Sequence, residues 1–406
     1  MDNRLGVYIH IPFCASRCSY CDFCSYAGAE RLMPYYHEAL LEHIAESESR
    51  FAPYYVDTVY FGGGTPTYYG SKRVCEILAE LKYTASVLKE SEITVEANPD
   101  SMDLKGLIAL RREGVNRLSI GVQAASDDIL RLMGRRHSFR QAQDAVKMAR
   151  DAGFDNVSID LMFGLPGQTR KEWAETLSRA LELRPEHISC YELILEDGTS
   201  MHTQFQGTPL IPDEDELADM YLYAVDTFAN YGYPQYEISN FAVPGYESRH
   251  NMKYWILDDY IGFGPSAHSK IGNRRYAYTN DLEAYINGVL DGEELVTEQE
   301  ELPLSERASE YIIFGLRTSR GISADEFLNV YSGNFGVLEA LLHDFEKKGW
   351  ARYTAGRWAF TASGFLLSNT LINALLDARK RSSSSDTFDD DDPPMPQYKL
   401  NLRDSG

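Results

Sequence analysis

The sequence predicts an α/β fold: a partial (β/α)6 barrel, a C-terminal extension and a small winged-helix-like α+β domain. Three observations carry that expectation. Short apolar runs alternate six times with segments of helical periodicity, and strands joined through helices pair in parallel because only a crossover brings them side by side. Polar residues fall late in those runs, where barrel folds place their sites. The alternation stops near residue 208, so the chain divides into a barrel over 1–208, a lid or extension over 209–302, a small domain over 303–380 and a tail over 381–406.

In chain order, residues 6–13 read as the first strand and run into a cysteine-rich loop. A helix over about 34–51 follows, with Leu40, Leu41 and Ile44 at helical spacing. The second strand, 58–61, leads into Gly62-Gly63-Gly64-Thr65-Pro66 and a helix over 71–81. The third, 93–97, ends at Asn98-Pro99-Asp100 before a helix over 103–113. The fourth, 117–123, precedes a helix near 126–133 and a second one for which Ser138 is the expected N-cap. The fifth, 157–163, closes at Gly164-Leu165-Pro166-Gly167, and Thr169 caps the next helix. The sixth is 187–193. The glycine run, Glu96, Gln123 and Asp160 therefore share one rim with the cysteine loop.

Beyond 208 the pattern breaks. A helix over 214–231 leads to an aromatic, glycine-rich stretch with Arg249-His250-Asn251-Met252-Lys253-Tyr254-Trp255 and 262–269, read as a lid or extension over the barrel mouth. Helices over 323–330 and 335–347 precede two short strands around Thr354-Ala355-Gly356, an order that resembles a winged helix. Few basic residues accompany it, so packing or partner binding is expected rather than DNA. Residues from Ser382 on are serine-rich, then acidic, and read as a disordered tail.

A formal net charge of −22 argues against broad contact with a phosphate backbone, which needs Lys/Arg surfaces. Arg135-Arg136-His137 is a local exception, a site or a solvated turn. No run approaches the ~18 apolar residues of a membrane span, and no signal-peptide pattern opens the chain. A cytoplasmic protein without transmembrane segments is expected, and a reducing compartment suits clustered thiols.

Four of the six cysteines, Cys14, Cys18, Cys21 and Cys24, fall within eleven residues. Thiols so close do not pair into fold-stabilising disulfides, but they can converge on one metal centre. Cys-x3-Cys-x2-Cys offers three sulfurs on a short loop, as iron–sulfur clusters require. The alternatives are an inert loop or a zinc knuckle, and a zinc site wants a second ligand pair that no later Cys/His pair supplies.

Cys14-x3-Cys18-x2-Cys21, with Tyr20 before the third cysteine, resembles the signature of the radical S-adenosylmethionine (SAM) superfamily. Ile9-His10-Ile11-Pro12-Phe13-Cys14, Gly62–Thr67, Ser119–Gln123 and Asp160–Pro166 are similar to its coproporphyrinogen III dehydrogenase-like branch, over roughly residues 5–375. The resemblance implies a [4Fe-4S] cluster on Cys14, Cys18 and Cys21 with one iron left for SAM. It places Gly63, Gly64 and Thr65 at the SAM methionine, Glu96 at the ribose or amino end, and Gln123, Arg135 and Asp160 around the pocket. Tyr8 and Tyr20 would flank the cluster and the adenine.

Within that branch, dehydrogenases resemble Cys-x3-Cys-x2-Cys-x-Cys and carry a substantial segment before the cluster. Here Phe23 stands at the fourth position and only thirteen residues precede Cys14. Both features, with His250-Asn251-x-x-Tyr254-Trp255, are similar to the heme-chaperone group. The resemblance then implies heme as a third cofactor, handed to respiratory, membrane-associated acceptor proteins. His250 is the candidate heme ligand and His268 a weaker rival, since imidazole ligates heme iron. Cys24 is expected to be a bystander. The alternative is oxidative decarboxylation of coproporphyrinogen III, with the same cluster and SAM.

Overall fold

A computed structural model describes residues 3–384 apart from 294 and 332–333. The acidic tail expected over 381–406 lies outside the described residues from 385 on. The chain forms two units. One comprises Met1–Pro234, Ser239–His250 and Asp258–Glu301; the other comprises Gln235–Ile238, Asn251–Leu257 and the chain from Leu302.

Six strands of the first unit follow the expected alternation: β1 (Arg4–Ile11), β2 (Tyr55–Gly63), β3 (Val87–Ala97), β4 (Arg117–Gln123), β5 (Val157–Phe163) and β6 (His187–Glu192). Each pairs in parallel with the next. The crossovers are α1 (Met33–Glu46), α2 (Ser71–Thr84), α3 (Leu104–Glu113), α4 (Asp127–Leu132) with α5 (Phe139–Asp151), and α6 (Arg170–Glu182). Local chemistry sets their ends. Ser138 and Gln141 form a capping box at the start of α5, as Thr169 and Glu172 do for α6, satisfying amide donors that a helix start leaves orphaned. Asp103 caps α3, and Gly114 ends it with φ +111°. β4 is buried along its whole length, as a strand covered on both faces must be.

The segment expected as a lid or extension adds strands to both edges of this sheet. β7 (Asn240–Ala242) pairs antiparallel with β6. On the other side, β8 (Tyr260–Phe263) pairs in parallel with β1. β9 (His268–Ile271), β10 (Arg274–Tyr278) and β11 (Val296–Glu301) then continue antiparallel. Within the first unit the strand order is β11-β10-β9-β8-β1-β2-β3-β4-β5-β6-β7. The physical reason is the first strand's open edge: its buried amides and carbonyls need partners, and β8 supplies them.

The second unit contains helices Leu304–Gly315, Ala324–Tyr331 and Gly336–Lys347, then β12 (Ala351–Thr354) and β13 (Arg357–Phe360) as an antiparallel hairpin, and a final helix Ser368–Ser384. Ala355 and Gly356 between the strands both have positive φ, the two-residue turn whose twist matches a hairpin. Arg357 donates to Glu326 at 2.8 Å and Trp358 is buried. Among the described residues, no helix is long and apolar enough to cross a membrane.

Candidate functional site

The rim is assembled from strand ends. β1 delivers the cysteine loop, β2 the glycine run, β3 Glu96 and Asn98, β4 Gln123 and β5 Asp160. The cysteine loop is tied down at several backbone positions. Cys21 N–H donates to the Cys18 carbonyl at 3.2 Å, and Ser19 N–H to the Met133 carbonyl at 3.0 Å. Ser19 Oγ donates to the carbonyl of Leu132, the last residue of α4.

The glycine run passes tightly beneath that loop. Gly64 N–H donates to the Ile11 carbonyl and Thr65 N–H to that of Phe13, both at 2.8 Å. A Cβ on Gly64 would sit 2.7–2.8 Å from Ile11 O, Phe13 N and Phe13 O. A Cβ on Gly63 would meet the His10 ring at 2.4 Å, and its φ of +106° suits glycine alone. These are positions where only a residue without a side chain lets two backbones approach.

Cys14 Sγ lies 3.6 Å from Thr65 Oγ1, and Arg135 Nη1 donates to Cys18 Sγ at 3.6 Å. Burial raises the Cys14 thiol pKa, the Thr65 hydrogen bond opposing it, and burial pushes Cys21 up to about 11. Cys18 lies near enough to add to the rise at Cys14, and Cys18 and Cys14 near enough to add to that at Cys21. The influences on Cys24 come instead from burial, Tyr26, Arg17 and Asp281. Its thiol donates to the Asn280 carbonyl at 3.3 Å. Among the described residues, no three His, Cys, Asp or Glu side chains gather around a point fit for one metal ion. A four-iron cluster takes each thiolate on its own iron, so three neighbouring thiols on an open loop fit it by number and chemistry. Their protons leave on binding, since the thiolate is the ligand.

Arg135 is the hinge of the pocket. Its Nη2 donates to Asn98 Oδ1 at 2.7 Å and to the Gly121 carbonyl at 2.8 Å. Asn98 Nδ2 in turn donates to Thr65 Oγ1 at 3.0 Å. Burial alone would lower the Arg135 pKa, but Tyr20, Cys18 and Asp100 hold it above the ordinary arginine value. A small cleft beside it is lined by Ser16, Cys18, Thr65, Asn98, Arg135 and Arg136. The rest of the basic triplet does not form a patch: Arg136 pairs with Asp100 at 3.5 Å, and His137 is buried with Nε2 3.2 Å from the Val122 carbonyl.

Glu96 accepts from Tyr60 Oη at 2.9 Å and from Gly63 N–H at 3.1 Å. Burial pushes its carboxyl up to about 7, with Tyr60 opposing and Asp160 adding to the rise. Asp160 accepts from Ser119 Oγ at 3.0 Å, and burial raises its pKa too, against the Ser119 and Ser189 hydrogen bonds. Gln123 ends β4 with φ +68°, a conformation that costs a non-glycine residue roughly 1–3 kcal/mol and concentrates at ligand sites. Tyr20 packs into an apolar cluster with Met133, Met162, Leu193 and Met201. The Tyr8 ring stacks on Tyr60 with centroids 6.2 Å apart, and its hydroxyl is 3.0 Å from His10 Nδ1.

The structure thus brings the cysteines, Gly63, Gly64, Thr65, Glu96, Arg135, Asp160, Gln123, Tyr8 and Tyr20 to the same end of the sheet. It does not bring His250 there. His250 is 1% exposed, its Nδ1 is 2.8 Å from Thr58 Oγ1, and its ring stacks on Tyr60 at 5.3 Å. The Glu92 carboxylate accepts from the Arg249 and His250 amides. In this structure the histidine is a packed interior group. His268 is exposed on β9, away from the rim strands. Sequence reading missed Asn98, Tyr60 and His10. Asn98 had a signal, since it follows β3 directly.

A family model described as the radical SAM superfamily matches residues 8–180. The chain is 35% identical to "Heme chaperone HemW" of Bacillus subtilis (strain 168), over 91% of this chain and 99% of that protein. It is 32% identical to "Heme chaperone HemW" of Escherichia coli (strain K12), over 92% and 98%. Among solved structures, the coproporphyrinogen III oxidase HemN from Escherichia coli, a radical SAM enzyme, superposes with a TM-score of 0.81 at 25% identity, covering 93% of this chain and 90% of that one.

Proposed function

The chain belongs to the radical SAM superfamily and, within it, to the family of the heme chaperone HemW, and from that membership we propose that it binds heme and delivers it to acceptor proteins. Cys14, Cys18 and Cys21 hold a [4Fe-4S] cluster, and the rim around Arg135 holds SAM. When bound, these cofactors supply one-electron chemistry at the SAM sulfonium. The chain's own residues bind and orient them. Gly63 and Gly64 would present backbone at the methionine end, Arg135 would pair with its carboxylate, Glu96 would accept from the amino end or ribose, and Asp160 from a ribose hydroxyl. Acceptors of the respiratory chain, at a membrane surface, complete the proposed route, with the chain itself in the cytoplasm.

The observation that carries the reading is likeness to heme chaperones along nearly the whole chain, joined to a loop in which Phe23 occupies the position two beyond Cys21 and Cys24 faces Asn280. A second reading, dehydrogenation of coproporphyrinogen III, draws on the HemN superposition. One reconstituted sample tests both. A Soret band that saturates with added heme, and transfers to an apo-acceptor, is expected. Protoporphyrinogen formed at catalytic turnover from coproporphyrinogen III, SAM and reductant would overturn the chaperone reading.

A further inference from the structure

His10 stands on β1 four residues before the first cluster cysteine, and no role has been given to it above beyond its contact with Gly63. It is 6% exposed. Its Nε2 is 2.8 Å from the Cys24 carbonyl and its Nδ1 is 3.0 Å from the Tyr8 hydroxyl. The Gly63 Cα lies so close to the ring that an added Cβ would come within 2.4 Å of Cε1 and Nδ1. The His10 backbone is held as well, its carbonyl accepting from the buried Tyr36 hydroxyl.

These contacts leave one protonation pattern. A carbonyl oxygen only accepts, so Nε2 must carry the proton it donates to Cys24. Burial also holds the imidazole pKa down at about 4, so the ring is neutral near pH 7. Nδ1 is then bare, and it accepts from Tyr8.

We propose that His10 is a positioning residue that locks the far end of the cysteine loop to the glycine run, so that cluster and SAM methionine are held in one register. The imidazole spans the gap between two otherwise separate parts of the site. One edge fixes Cys24, three residues past the last cluster cysteine; one face sets how deeply Gly63 sits; and the Cys24 carbonyl fixes the tautomer, leaving Nδ1 to accept from Tyr8. The Ile-His-Ile-Pro-Phe run before Cys14 thereby gains a physical role: β-branched neighbours hold the strand while the histidine reaches across to the loop. This deepens the SAM reading and rests on it, and the test separates the two.

In the cofactor-free full chain labelled with ¹⁵N-histidine, long-range proton–nitrogen correlation is expected to show His10 as the Nε2–H tautomer at pH 7. An Nδ1–H tautomer would overturn the proposal. In the reconstituted chain, the shift that SAM causes in the electron paramagnetic resonance spectrum of the reduced cluster is titrated. His10→Leu is expected to keep the cluster signal but raise the SAM midpoint about tenfold, while His10→Gln, which keeps a donor for Cys24, stays within about threefold. A Leu variant equal to the wild type, or a Gln variant as impaired as Leu, would sink the idea. Should His10→Leu fail to fold, Tyr8→Phe decides: a kept Nε2–H tautomer with a raised midpoint supports the lock, and an unchanged midpoint refutes it. A wild-type spectrum unmoved by SAM would refute the SAM reading instead, while the tautomer still decides His10.

Discussion

Replacing Gly64 by alanine tests the close approach on which the site is built. The added Cβ would lie 2.7–2.8 Å from three backbone atoms of residues 11 and 13, and backbone cannot swing aside as a side-chain tip does. The run must therefore retreat from the cysteine loop. Two hydrogen bonds oppose that retreat, Gly64 to Ile11 and Thr65 to Phe13, each 2.8 Å. Overpacking of this kind costs about 1–3 kcal/mol, and each strained hydrogen bond adds about 1 kcal/mol. The expected loss is therefore ~3–5 kcal/mol, or roughly 3–6 °C in Tm for a chain of this length. Gly167→Ala serves as the control. It has no atom within 4 Å of its Cβ but a φ of +72°, so it reports backbone strain alone, ~1–2 kcal/mol, without touching the site. The assay is thermal unfolding by circular dichroism on cofactor-free chains, beside iron and sulfide content after reconstitution. Gly64→Ala should also bind less cluster, because Thr65, 3.6 Å from Cys14 Sγ, moves with it. A Tm within ~1 °C of wild type and full cluster content would refute the reasoning.

Three further outcomes are expected. Glu96 has its folded pKa raised from 4.5 to about 7 by burial, so its contribution to stability is complete below about 4.5 and is lost as pH rises through about 7; urea midpoints across that window should slope for wild type and lose this component in Glu96→Gln. SAM affinity should run the opposite way, rising as Glu96 ionises, and a pH-independent wild-type affinity would remove Glu96 from the pocket. His250→Ala should destabilise the fold by about 2–4 kcal/mol through a lost interior ring and hydrogen bond while heme titration is unchanged; a lost Soret band in a folded variant would make His250 a ligand. Cys24→Ser should reconstitute with the wild-type iron and sulfide content, whereas serine at Cys14, Cys18 or Cys21 abolishes the cluster, and loss of cluster in Cys24→Ser would make it a ligand.

Much of this protein was legible in its sequence because the information is local. Strand–helix alternation has a short period, a capping residue acts within three positions, and Cys14, Cys18 and Cys21 are close in the chain before folding. The strand-end polar residues shared one rim because parallel strands all point the same way. The alternation also fixed β1 to β6 and their order in the sheet. What the sequence left open depends on distance through space. The edge of β1 attracts a strand some 250 residues away, so the segment expected as a lid or extension became part of the sheet. Asn98 joins Arg135 to Thr65, residues from three separate loops, and only folding puts the amide between them. His250 looked like a ligand because its neighbours in sequence are aromatic, yet tertiary packing buries it on Tyr60 and Thr58. The sequence alone determined which atoms can bind iron and SAM, since that is set by residue chemistry. Which histidine is buried, which carboxylate is pushed toward neutrality and which glycine has no room for a methyl group were decided by the tertiary structure, because desolvation and steric contact exist only once distant segments pack together.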